Sequence, residues 1–278
     1  MNFGGAEIIY DHAGSDIIIV PVPYGETSTW MKGADKGPDA IMEASPNLEF
    51  YDIETETQVH LKGIHTIDPI VEKSSPESLV NAVYDKTLQL LKEKKFPVIV
   101  GGNHTVSIGS IKAFSEHYKN FSVLQLDAHS DLRQEYEGSR FNHACAMARV
   151  REFAPLVQVG IRSMWVEELP FVKKKRIFYA HELYYDKKLY KKAVERLSRN
   201  VYITIDLDVF DPSLMPSTGT PEPGGPDYYE LMHFLRDVAK KRNIVGFDVV
   251  ELCPSTHNKT PDFVAAKVIY QLLSYIFK

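Results

Sequence analysis

Short apolar segments alternate along this chain with longer segments in which apolar residues recur every three or four positions. Short continuous apolar runs are typical of buried β-strands, and the longer periodicity is typical of amphipathic helices. The segments predicted as strands are Asp16–Val22, Pro97–Val100, Phe121–Leu126, Val157–Gly160, Arg176–Tyr179, Val201–Ile205 and Ile244–Val250. The segments predicted as helices are Gly37–Glu43, Pro76–Lys95, Thr105–Tyr118, Lys187–Ser198, Asp227–Lys241 and Pro261–Phe277.

The order of these segments predicts an α/β fold with a mostly parallel sheet, because strands that alternate with helices are joined by right-handed crossovers. The strands are apolar throughout instead of alternating, as expected for a sheet that helices cover on both faces. No internal repeat, low-complexity tract or clear linker interrupts the pattern. A single domain spanning 1–278 is therefore predicted.

Composition and charge exclude several classes of function. The chain is 44% hydrophobic and 25% charged, as in ordinary globular proteins, and its net charge of −5 gives no electrostatic support for nucleic-acid binding. The longest apolar runs are far shorter than a membrane span, and Met1–Ile9 lacks the pattern of a signal peptide. Two cysteines are too few for a disulfide framework or a thiolate zinc site, so we expect a reduced, cytoplasmic protein.

Polar, chemically active residues follow four of the predicted strands at the point where each strand ends. His104 follows Pro97–Val100, the segment Asp127–Asp131 follows Phe121–Leu126, Asp206–Asp208 ends the run Val201–Ile205, and Glu251 follows Ile244–Val250. In open parallel sheets, ligands bind at the carboxyl ends of strands. Because buried carboxylates are costly unless something compensates their desolvation, a metal centre at this edge of the sheet is the simplest explanation.

The spacing within these segments favours a pair of metal ions. Alternate residues of an extended segment share one face, so the side chains in each segment can point toward one centre. The candidate ligands are His104, Asp127, His129, Asp131, Asp206 and Asp208. Oxygen and imidazole ligands without thiolate favour Mn, Mg or Fe over structural zinc, and six ligands are too many for one open catalytic ion. Taken singly, each motif is also compatible with a turn or a helix cap.

These motifs together identify the chain as similar to the ureohydrolase (arginase/agmatinase) family, and most similar to the agmatinases. The resemblance covers nearly the whole chain. The segments that carry it are Pro21–Ser28, Gly101–Thr105, Asp127–Asp131, Gly160–Ser163, Ile205–Gly225 and Asp248–Glu251. The resemblance implies a three-layer α/β/α fold with a central eight-stranded parallel sheet, two Mn²⁺ ions per subunit, hydrolysis of a guanidino group to urea, and a homo-oligomer, either a trimer or a hexamer.

The family pattern also implies a role for each site residue. One ion is expected on His104, Asp127, Asp131 and Asp206, and the other on Asp127, His129, Asp206 and Asp208, so that Asp127 and Asp206 bridge. Asp131 is further expected to orient the nucleophilic hydroxide, His143 to shuttle a proton, and Glu251 to hold the guanidinium of a small-molecule substrate. Without the resemblance, His143 could equally be a helix-start residue, and Glu251 could form an ion pair.

The substrate is less sharply defined by the sequence than the reaction. The segment 132–142 resembles agmatinases and lacks the arginase pattern, which favours agmatine; Glu135 or Glu137 could attract its distal ammonium, although solvated charges are the commoner role. Arg140 could instead favour an acidic guanidino compound. Guanidinobutyrate, formimidoylglutamate and arginine remain alternative substrates, and a non-catalytic binding protein is an alternative function. Asn103 stands where the family usually has Asp or Glu, from which we expect weaker metal binding.

Overall fold

A single sheet of eight parallel strands forms the centre of the molecule. The computed structural model describes residues 1–278. The strands are β1 (Ile17–Val22), β2 (Ile64–Thr66), β3 (Phe96–Gly101), β4 (Phe121–Leu126), β5 (Leu156–Ile161), β6 (Ile177–Tyr179), β7 (Asn200–Asp206) and β8 (Asn243–Val250). They pair in the order β2-β1-β3-β8-β7-β4-β5-β6. The strands that precede the polar clusters, β3, β8, β7 and β4, are therefore the four consecutive strands at the centre of the sheet.

Helices cover both faces of this sheet. They are α1 (Gly37–Ala44), α2 (Pro76–Lys92), α3 (Val106–His117), α4 (Ala146–Val150), α5 (Ala180–Tyr185), α6 (Lys188–Arg196), α7 (Tyr228–Lys241) and α8 (Thr260–Ile276). Helices α1, α6, α7 and α8 contact one another on one face, and α2, α3 and α4 do so on the other. This arrangement confirms the expected three-layer α/β/α fold.

Burial on both faces explains why the strands are apolar throughout. In β1, Ile17 and Ile19 pack in the core beneath α1 and α8, whereas Ile18 and Val20 pack with residues of α2 on the opposite face. All six residues of this strand are buried. Successive side chains of a strand point to opposite faces, so a sheet between two helix layers favours apolar residues on both faces of each strand.

Three elements were not predicted from the sequence. Strand β2 has three residues at one edge of the sheet, and helices α4 and α5 have five and six residues. Segments of this length contain too little of a period to be detected in the pattern. The helix expected to end at Lys95 ends at Lys92, because Lys94 adopts a left-handed backbone conformation with φ 59°. None of the helices combines the length and the apolar character that a membrane crossing requires.

Candidate metal centre

The four central strands bring the predicted site residues together at one edge of the sheet. Asp206 is the last residue of β7, while Asp127 and Glu251 directly follow β4 and β8. His104 lies in the turn between β3 and α3. Since these strands are parallel and adjacent, their carboxyl ends meet, and residues that are far apart in the sequence become neighbours.

The first group of candidate ligands surrounds the His104 imidazole. Its Nδ1 atom lies 3.2 Å from Asp127 Oδ2, 3.0 Å from Asp131 Oδ2 and 3.5 Å from Asp206 Oδ2. His104, Asp127 and Asp206 are all buried, and one potential ligand atom from each lies within 4.8 Å of the others. These three residues with Asp131 are the set expected for the first ion.

The second group lies beside the first and shares Asp127 with it. His129 Nδ1 lies 2.8 Å from Asp208 Oδ2 and 3.9 Å from Asp127 Oδ1. The potential ligand atoms of Asp127, His129 and Asp208 also lie within 4.8 Å of one another. Two adjacent candidate cation sites with a common carboxylate have the arrangement that a dinuclear centre requires.

The orientation of the His104 ring shows that these residues fit a metal ion. His104 Nε2 lies 2.9 Å from Thr204 Oγ1, and that hydroxyl donates in turn to Asp248 Oδ1 at 2.6 Å. The hydroxyl proton is thus directed to Asp248, so His104 Nε2 is the donor and Nδ1 is the nitrogen available to a metal ion. Nδ1 is buried and makes no hydrogen bond, although three carboxylates lie near it. A buried imidazole nitrogen surrounded by carboxylates is a suitable ligand set for a divalent cation.

Electrostatic repulsion among the carboxylates of the cluster also indicates a cation site. Burial, together with the charges of Asp208 and Asp131, raises the pKa of Asp127 to about 7. The pKa of Asp206 is also raised, by burial and then by Asp208 and Asp127. Asp208 differs, because His129 and the hydrogen bonds it accepts outweigh burial and lower its pKa to about 2. A bound cation would relieve the repulsion between these carboxylates.

Two of the acidic residues are held by an unusual backbone conformation. Asp131 has φ 52° and Glu251 has φ 67°, a left-handed region that non-glycine residues rarely adopt and that is enriched at functional sites. Glu251 is further fixed because its Oε1 accepts a hydrogen bond from the His104 backbone N–H at 2.8 Å. Burial raises the pKa of Glu251 to about 8. Both side chains line the cavity that the other candidate ligands also face.

His143 lies at the wall of the same space. It begins a short 3₁₀ helix, His143–Cys145, whose N-cap is Asn142. Burial lowers the pKa of His143, and its buried Nδ1 has no hydrogen-bond partner. The imidazole is therefore neutral at neutral pH and can accept a proton.

A cavity of about 290 Å³ connects the metal ligands to the surface. Asp131, Asp206, Asp208 and Glu251 line it together with His129 and His143. Trp30 and Trp165 line the cavity nearer the surface and are 75% and 51% exposed. Large exposed aromatic residues at the mouth of an acidic cavity are suited to contact a cationic or partly apolar ligand.

Two wall residues of this cavity were not identified as site residues from the sequence. Glu168 lies in a 3₁₀ helix, Val166–Phe171, and is buried, whereas its neighbour Glu167 is exposed. Arg133 lies opposite, with its Nε 3.6 Å from Glu168 Oε1. No signal in the sequence distinguishes Glu168 from Glu167, because their difference in burial arises only from the tertiary fold.

The charged residues considered for substrate selection lie outside this cavity. Glu135 and Glu137 are exposed and do not line it. Arg140 pairs with Glu152 at the surface, where Arg140 Nη2 and Glu152 Oε1 are 3.0 Å apart. Glu135, Glu137 and Arg140 are therefore solvated surface charges in this structure.

Asn103 hydrogen-bonds to the loop that leads into the cavity and to none of the candidate ligand side chains. Its Nδ2 donates to Thr27 Oγ1 at 2.7 Å and to Ser28 Oγ at 3.3 Å, and its Oδ1 accepts from the Thr105 N–H at 3.3 Å. Asn103 is fully buried. The effect of Asn103 on metal affinity stays a prediction.

Known proteins resemble this chain over nearly its whole length. An N(1)-aminopropylagmatine ureohydrolase from Synechocystis sp. is 36% identical, covering 99% of this chain and 93% of that protein. An agmatinase from Pyrococcus horikoshii is 32% identical, covering 95% of this chain and 93% of that protein. The crystal structure of an agmatine ureohydrolase from Thermoplasma volcanium superimposes with a TM-score of 0.91 at 27% identity, covering 99% of this chain and 94% of that one.

A family-level match agrees with these relatives and with the geometry of the site. The family described as "Arginase family" matches residues 15–274. This confirms the resemblance found in the strand-end motifs and accounts for the two cation sites that share Asp127. The chain belongs to the arginase family.

Proposed function

We propose that this protein hydrolyses the guanidino group of agmatine, releasing urea and putrescine, with two Mn²⁺ ions bound to the six ligands described above. The observation that carries the proposal is the pair of cation sites sharing Asp127 at the base of a cavity lined by Glu251 and His143. When bound, two divalent ions would supply Lewis acidity and lower the pKa of a water molecule to give a nucleophile near neutral pH.

The protein residues bind and orient the substrate around that centre. Glu251 would bind the planar guanidinium through charge-assisted hydrogen bonds, since the His104 N–H holds its side chain and the cations beside it would favour its ionised form. Asp131 would accept a hydrogen bond from the nucleophilic water and fix its direction. Because His143 is neutral at neutral pH, it can take up a proton and deliver it to the departing amine.

The substrate is tested by urea release from Mn²⁺-loaded protein. Agmatine, arginine, guanidinobutyrate and formimidoylglutamate are assayed in parallel, with formamide also measured for the last, and Asp127→Asn is the control. We expect urea from agmatine and none from the control, because Asp127 contributes to both cation sites. Product from a different compound would retain the metal chemistry and overturn the choice of substrate.

A second substrate is supported by the relatives at higher identity. The proteins from Synechocystis sp. and Thermus thermophilus, each 36% identical, are named N(1)-aminopropylagmatine ureohydrolases. This compound carries agmatine's guanidino group on a longer cationic chain, which the exposed Trp30 and Trp165 at the mouth could contact. Adding it to the assay decides between the two, since the preferred substrate has the higher kcat/KM.

A non-catalytic role is disfavoured by the completeness of the site. All six expected ligands converge, and so do His143 and Glu251. Elemental analysis separates the functions, because a binding protein without a metal centre would contain no stoichiometric Mn. The homo-oligomer, a trimer or a hexamer, remains a proposal that light scattering of the purified protein tests.

A further inference from the structure

A buried carboxylate in the cavity wall has one oxygen that no protein donor satisfies. Glu168 is 4% exposed, and its Oε2 accepts hydrogen bonds from the Ser130 hydroxyl and, at 3.3 Å, from the Trp165 N–H. Its Oε1 accepts none, and the nearest cation is Arg133 Nε at 3.6 Å, beyond hydrogen-bond range. Oε1 is therefore open to the cavity that Glu168 lines, and a carboxylate oxygen without a protein donor at this wall favours a cationic donor from a ligand.

Two aromatic rings complete a pocket for a cation beside this carboxylate. The centre of the Arg133 guanidinium lies 4.4 Å from the Tyr136 ring centroid and 5.4 Å from the Trp165 ring centroid. Both distances are within the range at which aromatic faces attract cations. Tyr136, Trp165 and Glu168 thus form a cation pocket that Arg133, a residue of the same chain, occupies here.

The polar interactions between the Arg133 guanidinium and the protein are weak. Its guanidinium donates no hydrogen bond to the protein, its closest charged atom is 3.6 Å away, and its side chain is 30% exposed. Arginine is long and flexible and loses little when its guanidinium moves into water. A ligand ammonium with the same charge can therefore replace it.

We propose that this cation pocket binds the distal ammonium of the guanidino substrate, with Glu168 as its charged acceptor and Arg133 displaced toward solvent. The inference rests on the proposed function and deepens it, because it names the feature that selects a cationic tail. Glu168 and Glu251 line one cavity, so a single substrate can place its guanidinium at Glu251 and its ammonium at Glu168.

The test compares agmatine with pentylguanidine, in which a methyl group replaces the ammonium. Glu168→Gln removes the acceptor charge, and Glu167→Gln removes an exposed charge from the same 3₁₀ helix as a matched control. We expect Glu168→Gln to lower kcat/KM for agmatine about 10- to 100-fold through KM, and to leave pentylguanidine unchanged. Glu167→Gln should resemble wild type with both compounds.

A second variant and a binding measurement keep the proposal open to refutation. Arg133→Met empties the cation pocket, so agmatine should bind more tightly, and calorimetric titration of all variants reports this without turnover. An unchanged agmatine-to-pentylguanidine ratio in Glu168→Gln, or weaker agmatine binding in Arg133→Met, overturns the inference while urea release upholds the function. If the wild-type protein neither releases urea nor binds agmatine, both the inference and the proposed function are overturned.

Discussion

The hydrogen-bonded chain from His104 through Thr204 to Asp248 gives the sharpest prediction about metal affinity. All three residues are at most 1% exposed, and the two hydrogen bonds are 2.9 Å and 2.6 Å long. Thr204→Val keeps the shape of the side chain and removes the hydroxyl. Nothing then accepts the Nε2 proton that the imidazole must keep when Nδ1 binds a metal ion.

The expected loss follows from this missing acceptor. In the metal-bound variant, Nε2–H stays buried without a hydrogen-bond partner, at a cost of about 1–3 kcal/mol. That range corresponds to a loss of Mn²⁺ affinity of about 5- to 150-fold, which spans the 10- to 100-fold effect typical of residues that orient a metal ligand. Isothermal titration of metal-free protein with Mn²⁺ measures it directly.

Two controls separate orientation of the ligand from general destabilisation. Thr204→Ser keeps the hydroxyl and should retain the wild-type affinity. Tyr202→Phe removes the other hydroxyl that donates to Asp248, at 2.9 Å, without touching His104, so it should lower thermal stability and leave Mn²⁺ affinity unchanged. The reasoning is refuted if Thr204→Val binds Mn²⁺ as wild type does, or if Tyr202→Phe loses as much affinity.

Three further predictions concern the charges of the site. Glu251→Gln should lower kcat/KM by about 100-fold with Mn content retained, because the residue holds the substrate; loss of metal would contradict this role. Asn103→Asp adds a buried negative charge next to a ligand residue and should tighten Mn²⁺ binding about tenfold in titrations; unchanged affinity would remove Asn103 as a determinant. In metal-free protein the pKa values of Asp127, about 7, and Glu251, about 8, exceed those of unfolded carboxyls. Such groups contribute stability at low pH that is lost as pH rises through these values, so the melting temperature in EDTA should fall between about pH 5 and pH 8.5, and Mn²⁺ should restore it. A flat or rising profile in EDTA would show that these carboxyls are not repelling one another.

The sequence predicted those strands and helices whose buried positions give a recognisable pattern of apolar residues. Strands buried on both faces, such as β1, are mostly apolar, and this signal identified seven of the eight strands. The metal ligands were identifiable because each follows a strand end within a compact motif, as Asp127–Asp131 does. The three-residue edge strand β2 carries no comparable signal.

Residues that act through tertiary contacts could not be predicted in this way. Glu168 differs from Glu167 only in where the fold places it, and it meets Ser130 across 38 positions of sequence. Asp248 was recognised as part of a motif, but its connection to His104 through Thr204 depends on the pairing of β7 with β8. Such roles follow from strand order and register, which a local pattern does not specify.

Anomalous diffraction from a crystal grown with Mn²⁺ would locate the metal ions themselves. We expect two manganese peaks about 3.5–4 Å apart at the carboxyl ends of β3, β4 and β7, with the Asp127 carboxylate between them. One peak near His104 and none near His129, or two peaks without Asp127 between them, would contradict the shared dinuclear site on which the proposed hydrolysis depends.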